Sequence, residues 1–313
     1  MVNIPNYGTG IPDELVLGYI SWYTVTHPKV PHDDIVKWVD ELGLSPTILS
    51  KNPPRTGDAF KRACRYSEVK GIAIPGTDNT ANIMVRKVAT TPSEVERHMV
   101  VEVVDPTGRR LEYHDFAEMV LDRKQNVLRV TRNSIGGSIK PILDDAIELF
   151  QQNFHDALTY VDPQVLRRMI RTQLKLMSAI SVRHKGSVYY FPAKYREQGE
   201  ALEEFCRRLG SGSGFHTLPL VNTAKQREMV KAAFQQGVHE DAQQLIVEMR
   251  RIKNQGKKVS AGAIADMKRR VDHIESLVAD YESLIQGQLT QAVTESKMLK
   301  KELVELLTSG MVE

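Results

Sequence analysis

The chain has 313 residues, with 42 Lys and Arg against 39 Asp and Glu, so its formal net charge is +3. A hydrophobic content of 41% is ordinary for a folded protein; no window approaches the roughly 20 apolar residues of a membrane-spanning helix, and the first residues lack the basic and apolar run of a secretory signal, so a cytoplasmic protein is expected. The two cysteines, Cys64 and Cys206, lie far apart without a CxxC partner, which argues against a disulfide framework or a cysteine zinc site.

The first part of the chain, residues 1–75, is predicted to be a small helical module. Residues 13–24 and 33–42 have helical apolar spacing, and Thr56 is placed to cap a third helix over 59–66. Three short helices fit a helix-turn-helix that reads DNA, and they also fit a helical bundle with another role.

The middle of the chain, residues 76–222, is predicted to be a mixed domain. Strands are expected over 81–88, 98–104, 109–113 and 127–131, with a hairpin turn at Asp105-Pro106-Thr107-Gly108 because proline and glycine favour its turn angles. These strands predict a small antiparallel meander. Helices over 141–158, 163–182 and 193–209 and strands over 187–191 and 215–221 should follow.

The last part, residues 223–313, is predicted to be an antiparallel helical hairpin, because all 14 prolines lie at or before Pro219. Thr223 and Gln226 form a capping box, and the first arm should end near Gly256. Ser260 can cap the second arm, in which a break is expected near Gly287. The second arm carries a heptad seam that either closes on itself or completes a bundle with a second subunit. The seam consists of Ile264, Met267, Val271, Ile274, Val278, Tyr281 and Ile285. The predicted fold class is therefore α+β, predominantly helical, with a central β-meander and a coiled-coil-like C-terminal hairpin.

Charge is segregated between Pro163 and Arg196, where the sequence has eight Lys or Arg and no Asp or Glu. Arg167, Arg171 and Lys175 recur every four residues and line one helix face, where like charges repel by a few tenths of a kcal/mol per pair. One interpretation is a ridge that contacts phosphates. The other is a solvated face that pairs with acidic residues elsewhere in the chain.

Aromatic residues follow this basic helix, at Tyr189-Tyr190-Phe191. Most of these rings are expected in a core. If Tyr189 or Phe191 faces outward beside Arg183 and Lys185, ring and cations would form a stacking platform for single-stranded nucleic acid.

A second group of cations surrounds the predicted turn of the hairpin, where it could touch nucleic acid or an acidic partner. A helix C-terminus also favours cations, which accounts for those before the turn but not for those after it. The group contains Arg250, Arg251, Lys253, Lys257, Lys258, Lys268, Arg269 and Arg270.

The sequence has no P-loop, dinucleotide fingerprint, HExxH motif or nucleophile elbow, so neither a cofactor nor a metal ion is expected. The leading hypothesis is a non-enzymatic protein that binds nucleic acid, single- or double-stranded, through the basic helix and the hairpin tip. The alternative is an assembly subunit that forms a homo-oligomer or docks an acidic protein surface. An enzyme whose site is assembled from scattered residues is a third possibility.

Overall fold

The computed structural model describes residues 12–49, 55–183, 186–210, 212–255, 258–285 and 289–308. The strands are β1 (Val16–Thr24), β2 (Val69–Ala73), β3 (Thr80–Thr90), β4 (Glu94–Val104), β5 (Arg110–Asp122), β6 (Val127–Arg132), β7 (Ile180–Ser181), β8 (Val188–Pro192) and β9 (Gly214–Val221). The α-helices are α1 (His32–Glu41), α2 (Thr56–Tyr66), α3 (Lys140–Thr159), α4 (Pro163–Leu176), α5 (Arg196–Leu209), α6 (Ala224–Gln255), α7 (Ala261–Ile285) and α8 (Thr290–Thr308). Short 3₁₀ helices occupy Asp13–Leu15, Pro46–Ile48 and Ala193–Tyr195.

The strands form two antiparallel sheets, with the orders β7-β8-β1-β9 and β2-β3-β4-β5-β6. The second sheet is a meander, in which each strand pairs with the next along the chain. Helices make up the C-terminal part. The predicted α+β class, with a central antiparallel meander and C-terminal helices, is confirmed.

The chain divides into two compact units. The sheet-and-bundle unit contains Met1–Pro28, Trp38–Ile48 and Arg167–Glu313, and the meander unit contains Lys29–Lys37 and Leu49–Leu166. This division runs differently from the predicted one, because residues 1–75 contribute to both units.

In the meander unit, α2 and α3 cover one face of the five-stranded sheet. The covered face of β4 carries Val95, Met99, Val101 and Val103, all buried, as the alternation of side chains along a strand requires. The predicted hairpin turn joins β4 to β5, with Gly108 at φ +86°. The core of this unit thus lies between the sheet and two helices.

In the sheet-and-bundle unit, the central strand β1 pairs with β8 on one side and β9 on the other. Tyr190 of β8 is fully buried and contacts Tyr281 of α7 edge-on, so its face of the sheet packs on the C-terminal helices. Phe191 points to the other face, where a Cβ on Gly199 of α5 would lie only 2.7 Å from its ring. Glycine at that position allows α5 to approach the sheet closely.

The C-terminal bundle consists of α6, α7 and α8. Helix α7 runs antiparallel to α6, since Phe234 stacks on Tyr281 with ring centroids 4.4 Å apart while Arg270 pairs with Glu248. Helix α8 lies parallel to α6, because ion pairs join His239 to Glu295, Arg250 to Glu302 and Lys253 to Glu305. Every residue of the predicted heptad seam is at most 8% exposed. The seam is therefore covered within the chain.

The hairpin predicted over 223–308 thus contains a third helix, α8, that returns beside α6. The stripe of Leu299, Leu303 and Leu306 has the same spacing whether a helix continues or turns back, so periodicity alone did not separate the two. Gly256 and Gly287, where the sequence predicts a helix end and a break, lie outside the described residues. Both predicted caps are present: Gln226 N–H donates to Thr223 Oγ1 (3.3 Å) and Ala263 N–H to Ser260 Oγ (3.4 Å).

Three local predictions are wrong. Residues 13–24 form mainly β1 rather than a helix, because Tyr, Trp, Ile and Thr favour a strand once partners are present. Helix α4 ends at Leu176 instead of near 182, since Ser178 takes a left-handed conformation (φ +52°) and Ile180–Ser181 pairs as β7. Thr56 is the first residue of α2 rather than its cap, which is Arg55.

Candidate nucleic-acid interface

Helix α4 presents the cations that the sequence singled out. Its apolar stripe, which includes Met169, Ile170 and Leu174, is buried, so the opposite residues face outward. Arg171 and Lys175 are exposed, while Arg167 is half-buried. The Arg167 guanidinium donates to the carbonyl oxygen of Val25, and Nε of Arg171 donates to the carbonyl of Arg167 at 3.3 Å. These bonds hold the two arginines beside the end of β1.

Two tyrosines lie next to these arginines. Tyr23 of β1 and Tyr189 of β8 stack with ring centroids 6.2 Å apart and planes 15° from parallel, and both rings are half-buried. Burial raises the pKa of Tyr23 to about 12, Tyr189 adds to the rise, and the charges of Arg171 and Arg167 act against it. Both arginines are therefore within electrostatic reach of the Tyr23 ring. We call Arg167, Arg171, Tyr23 and Tyr189 the Arg–Tyr cluster.

The cluster contains three predicted site residues and one that the sequence reasoning missed. Tyr23 was assigned to a helix, and only the pairing of β1 with β8 brings it beside Tyr189. The neighbouring rings Tyr190 and Phe191 are buried, and so are closed to a ligand. The available signal for β1 was its content of aromatic and β-branched residues, Tyr19, Ile20, Trp22, Tyr23 and Thr24, which favour a strand.

The other predicted residues of the basic segment lie apart from the cluster. Arg183 is exposed beside the turn between β7 and β8, and Lys185 lies outside the described residues. Lys175 acts on Asp241 and His273 of the bundle: burial raises the pKa of Asp241 against the effect of Lys175, whereas burial and Lys175 both lower the pKa of His273. Lys175 therefore has a carboxylate of its own chain nearby.

At the hairpin tip, carboxylates of the chain neutralise much of the predicted charge. Glu302 and Glu305 of α8 lie 2.6 Å and 2.5 Å from Arg250 and Lys253, respectively. Arg251 and Lys258 are exposed, and Lys257 lies outside the described residues. Two further ion pairs join Arg270 to Glu248 and Arg269 to Asp266. The acidic side chains of α8 were not anticipated there, because α8 was not predicted as a separate helix.

A polar cluster around Asp280 of α7 was also missed. The carboxylate accepts hydrogen bonds from Ser178 Oγ (2.5 Å), Lys194 Nζ (2.7 Å) and Tyr195 OH (3.1 Å). Burial opposes ionisation of Asp280, but these donors outweigh it and lower its pKa. The cluster ties α7 to the end of α4 and to the start of α5. Its members lie up to 102 positions apart, so no local motif could reveal it.

A family comparison adds a classification. The chain belongs to DUF6744, a family of unknown function. The family model matches residues 16–311, which span both units. Comparison with curated proteins and with solved structures gives no match. Within the described ranges no helix is long and apolar enough to cross a membrane, and no group of three His, Cys, Asp or Glu side chains is arranged to hold a metal ion.

Proposed function

We propose that the protein binds nucleic acid without catalysing a reaction on it, and that the Arg–Tyr cluster is the main contact. The observation that carries this proposal is the position of the Tyr23–Tyr189 stack beside Arg167 and Arg171. Arginines next to accessible rings are the combination with which proteins hold single strands, the cations on phosphates and the rings on bases.

The rings favour a single strand over a duplex. A base stacked on an aromatic side chain contributes about 1–3 kcal/mol, and only an unpaired base offers its face. Because phosphate contacts release counterions, affinity should fall with salt by a log–log slope of about 0.7 per contact for a single strand. Arg251 and Lys258, two of the exposed cations near the hairpin tip, supply a second contact in this proposal. The ion pair of Arg250 with Glu302 reduces the contribution of Arg250.

The test is fluorescence anisotropy with labelled single- and double-stranded DNA and RNA over a salt series. We expect the Arg167→Glu/Arg171→Glu double variant to lose binding. Tyr189→Leu should weaken single-strand binding about tenfold while leaving the salt slope unchanged.

The matched control is Lys70→Glu/Lys225→Glu, which makes the same charge change at two exposed lysines that do not belong to the cluster. This control should keep most of the affinity. Full binding by the double arginine variant would contradict the assignment to this surface. Equal losses of affinity in both double variants would mean that binding depends on net charge and not on this surface.

The competing proposal is an assembly subunit that meets an acidic protein surface or forms a homo-oligomer. Since the heptad seam is covered within the chain, such contacts would use another surface. Mass photometry separates the two proposals: a discrete oligomer that fails to bind any of the four nucleic acids at low salt favours assembly.

A further inference from the structure

The meander unit contains a cationic cleft of about 790 Å³ at the first turn of α2. Among the described side chains that line it, five are cationic and one, Asp58, is acidic, so these residues have a net charge of +4. The cations are Arg55, Lys61, Lys87, Arg97 and Arg123. Asp58 lies 3.5 Å from Lys61, and no described carboxylate forms an ion pair with the other four.

Two of these cations are direct neighbours in the sheet. Lys87 of β3 is paired with Arg97 of β4, and both lie on the face that α2 and α3 cover. Along each strand, the neighbouring positions on this face are apolar and buried: Ile83 and Val85 on β3, Val95 and Met99 on β4. Like charges directly opposite each other destabilise a sheet. The chain thus bears an electrostatic cost here that a bound anion would offset.

One hydrogen-bond donor of Arg97 has no acceptor among the described residues. Its Nε is inaccessible to solvent, and no hydrogen-bond acceptor in the described part of the chain reaches it. The nearby Cys64 does not supply a counter-charge, because burial raises the pKa of its thiol to about 11 even though Arg97 acts in the opposite direction. A buried donor without an acceptor costs about 1–3 kcal/mol and more when it is charged, so the site favours an incoming oxyanion.

The first turn of α2 adds to this field. Thr56 and Gly57 line the cleft, and no side chain of the described residues caps the helix N-terminus. A Cβ on Gly57 would meet no atom within 4 Å, so the backbone there is open. Free N–H groups at the start of a helix attract anions, so they add to the attraction that the five cations exert on an anion.

We propose that this cleft binds the phosphates of a small polyphosphate, either pyrophosphate or a nucleoside di- or triphosphate. Its charge matches a ligand with three or four negative charges, and its volume is that of a small-molecule site. The only aromatic residue of the lining, Phe60, is fully buried, so recognition rests on phosphate rather than on a base. The cleft belongs to the meander unit and the Arg–Tyr cluster to the other, so this proposal is independent of the proposed function.

The experiment is isothermal titration of the full chain with magnesium-free pyrophosphate, ADP and ATP. We expect saturable binding, a weakening of about tenfold or more in Lys87→Met, and a larger loss in Arg97→Met. Arg97→Met should also melt at a higher temperature than the wild type without ligand, because it removes a half-buried guanidinium whose Nε has no acceptor among the described residues. Lys87 is exposed, so its variant keeps the test valid if Arg97→Met fails to fold.

Lys70→Met is the matched control, since it removes an exposed lysine of β2 outside the cleft and should leave binding unchanged. The absence of saturable binding by all three ligands, or equal affinity in Lys87→Met and the wild type, would overturn the proposal. To distinguish a small polyphosphate from nucleic acid as the ligand, the same titration uses two oligonucleotides that differ only in a 5′-phosphate.

If the protein binds the oligonucleotides but none of the three small ligands, and Lys87→Met loses this binding, the small-ligand assignment is overturned in favour of nucleic acid. If Arg167→Glu/Arg171→Glu loses oligonucleotide binding but still binds pyrophosphate, the Arg–Tyr cluster and the cleft are separate sites, as proposed.

Discussion

Replacing Asp280 with alanine removes a carboxylate that three donors share. Ser178 is only 5% exposed, so its hydroxyl gains a charge-assisted hydrogen bond that is worth about 1.5–3 kcal/mol. The Lys194 side chain is 52% exposed and adds little, as expected for a solvated ion pair. Ser178 Oγ and Tyr195 OH are 3.3 Å apart and can still bond each other, which recovers part of the loss. We therefore expect Asp280→Ala to lower the free energy of unfolding by about 1.5–3 kcal/mol.

The assay is urea denaturation followed by tryptophan fluorescence. Both tryptophans, Trp22 and Trp38, belong to the sheet-and-bundle unit, so the signal reports the unit that contains Asp280. Asp272→Ala is the control, since this aspartate is exposed on the same helix, and it should change stability by no more than about 0.5 kcal/mol.

The difference in stability between the wild type and Asp280→Ala should also depend on pH. Because the folded-state pKa of Asp280 is lowered, its stabilisation is fully present above the unfolded pKa of about 3.9 and is lost as the pH falls through the folded value. The difference between wild type and Asp280→Ala should thus be largest near neutral pH and shrink as the pH is lowered from about 5 toward 2. Equal urea midpoints at neutral pH, or a difference that persists undiminished in acid, would refute this reasoning.

Two further substitutions test other parts of the fold. Gly18→Ala should destabilise the sheet-and-bundle unit by more than about 2 kcal/mol, because its Cβ would overlap the Phe191 carbonyl oxygen and the Tyr190 ring. In Gly237→Ala, the new Cβ on α6 meets no described atom, so this variant should be more stable by up to about 1 kcal/mol. Chemical denaturation compares the free energies of unfolding of the two variants, and similar effects would contradict the packing argument. Burial opposes protonation of His98, but the hydrogen bonds that its ring donates to Glu96 and Asp115 raise its pKa, so Asp115→Asn should lower that pKa in an NMR titration. The stabilisation from this pairing is complete below the unfolded pKa of about 6.5 and is lost as the pH rises through the folded value, so the variant should match the wild type in alkali.

Local signals in the sequence were sufficient where structure is local. The meander strands, the Asp105–Gly108 turn and the caps at Thr223 and Ser260 all depend on residues within a few positions of one another, and these predictions are confirmed. Strand β1 depends on partners far along the chain. The apolar spacing of residues 13–24 alone fits the period of a helix and not that of a strand, so it predicts the wrong element.

The same distinction between local and long-range contacts applies to the candidate site. The spacing of Arg167 and Arg171 predicted a shared helix face from four residues of sequence. The contact of that face with Tyr23 depends on two tertiary pairings, as does the neutralisation of Arg250 by Glu302. Arg97 had no sequence signal, since its position beside Lys87 follows from strand register.

The pairing of β1 with β8 has a consequence for how the chain folds. Ser21 and Tyr189, which face each other across these strands, are 168 positions apart, and the larger segment of the meander unit lies between them. As the polypeptide leaves the ribosome, the meander can form from neighbouring hairpins while β1, rich in tyrosine and tryptophan, still lacks both adjacent strands. Closing so distant a contact is slow, and an unpaired strand edge is prone to aggregation in the meantime. Strand β1 is thus synthesised before either of its partner strands and is among the last to find its place.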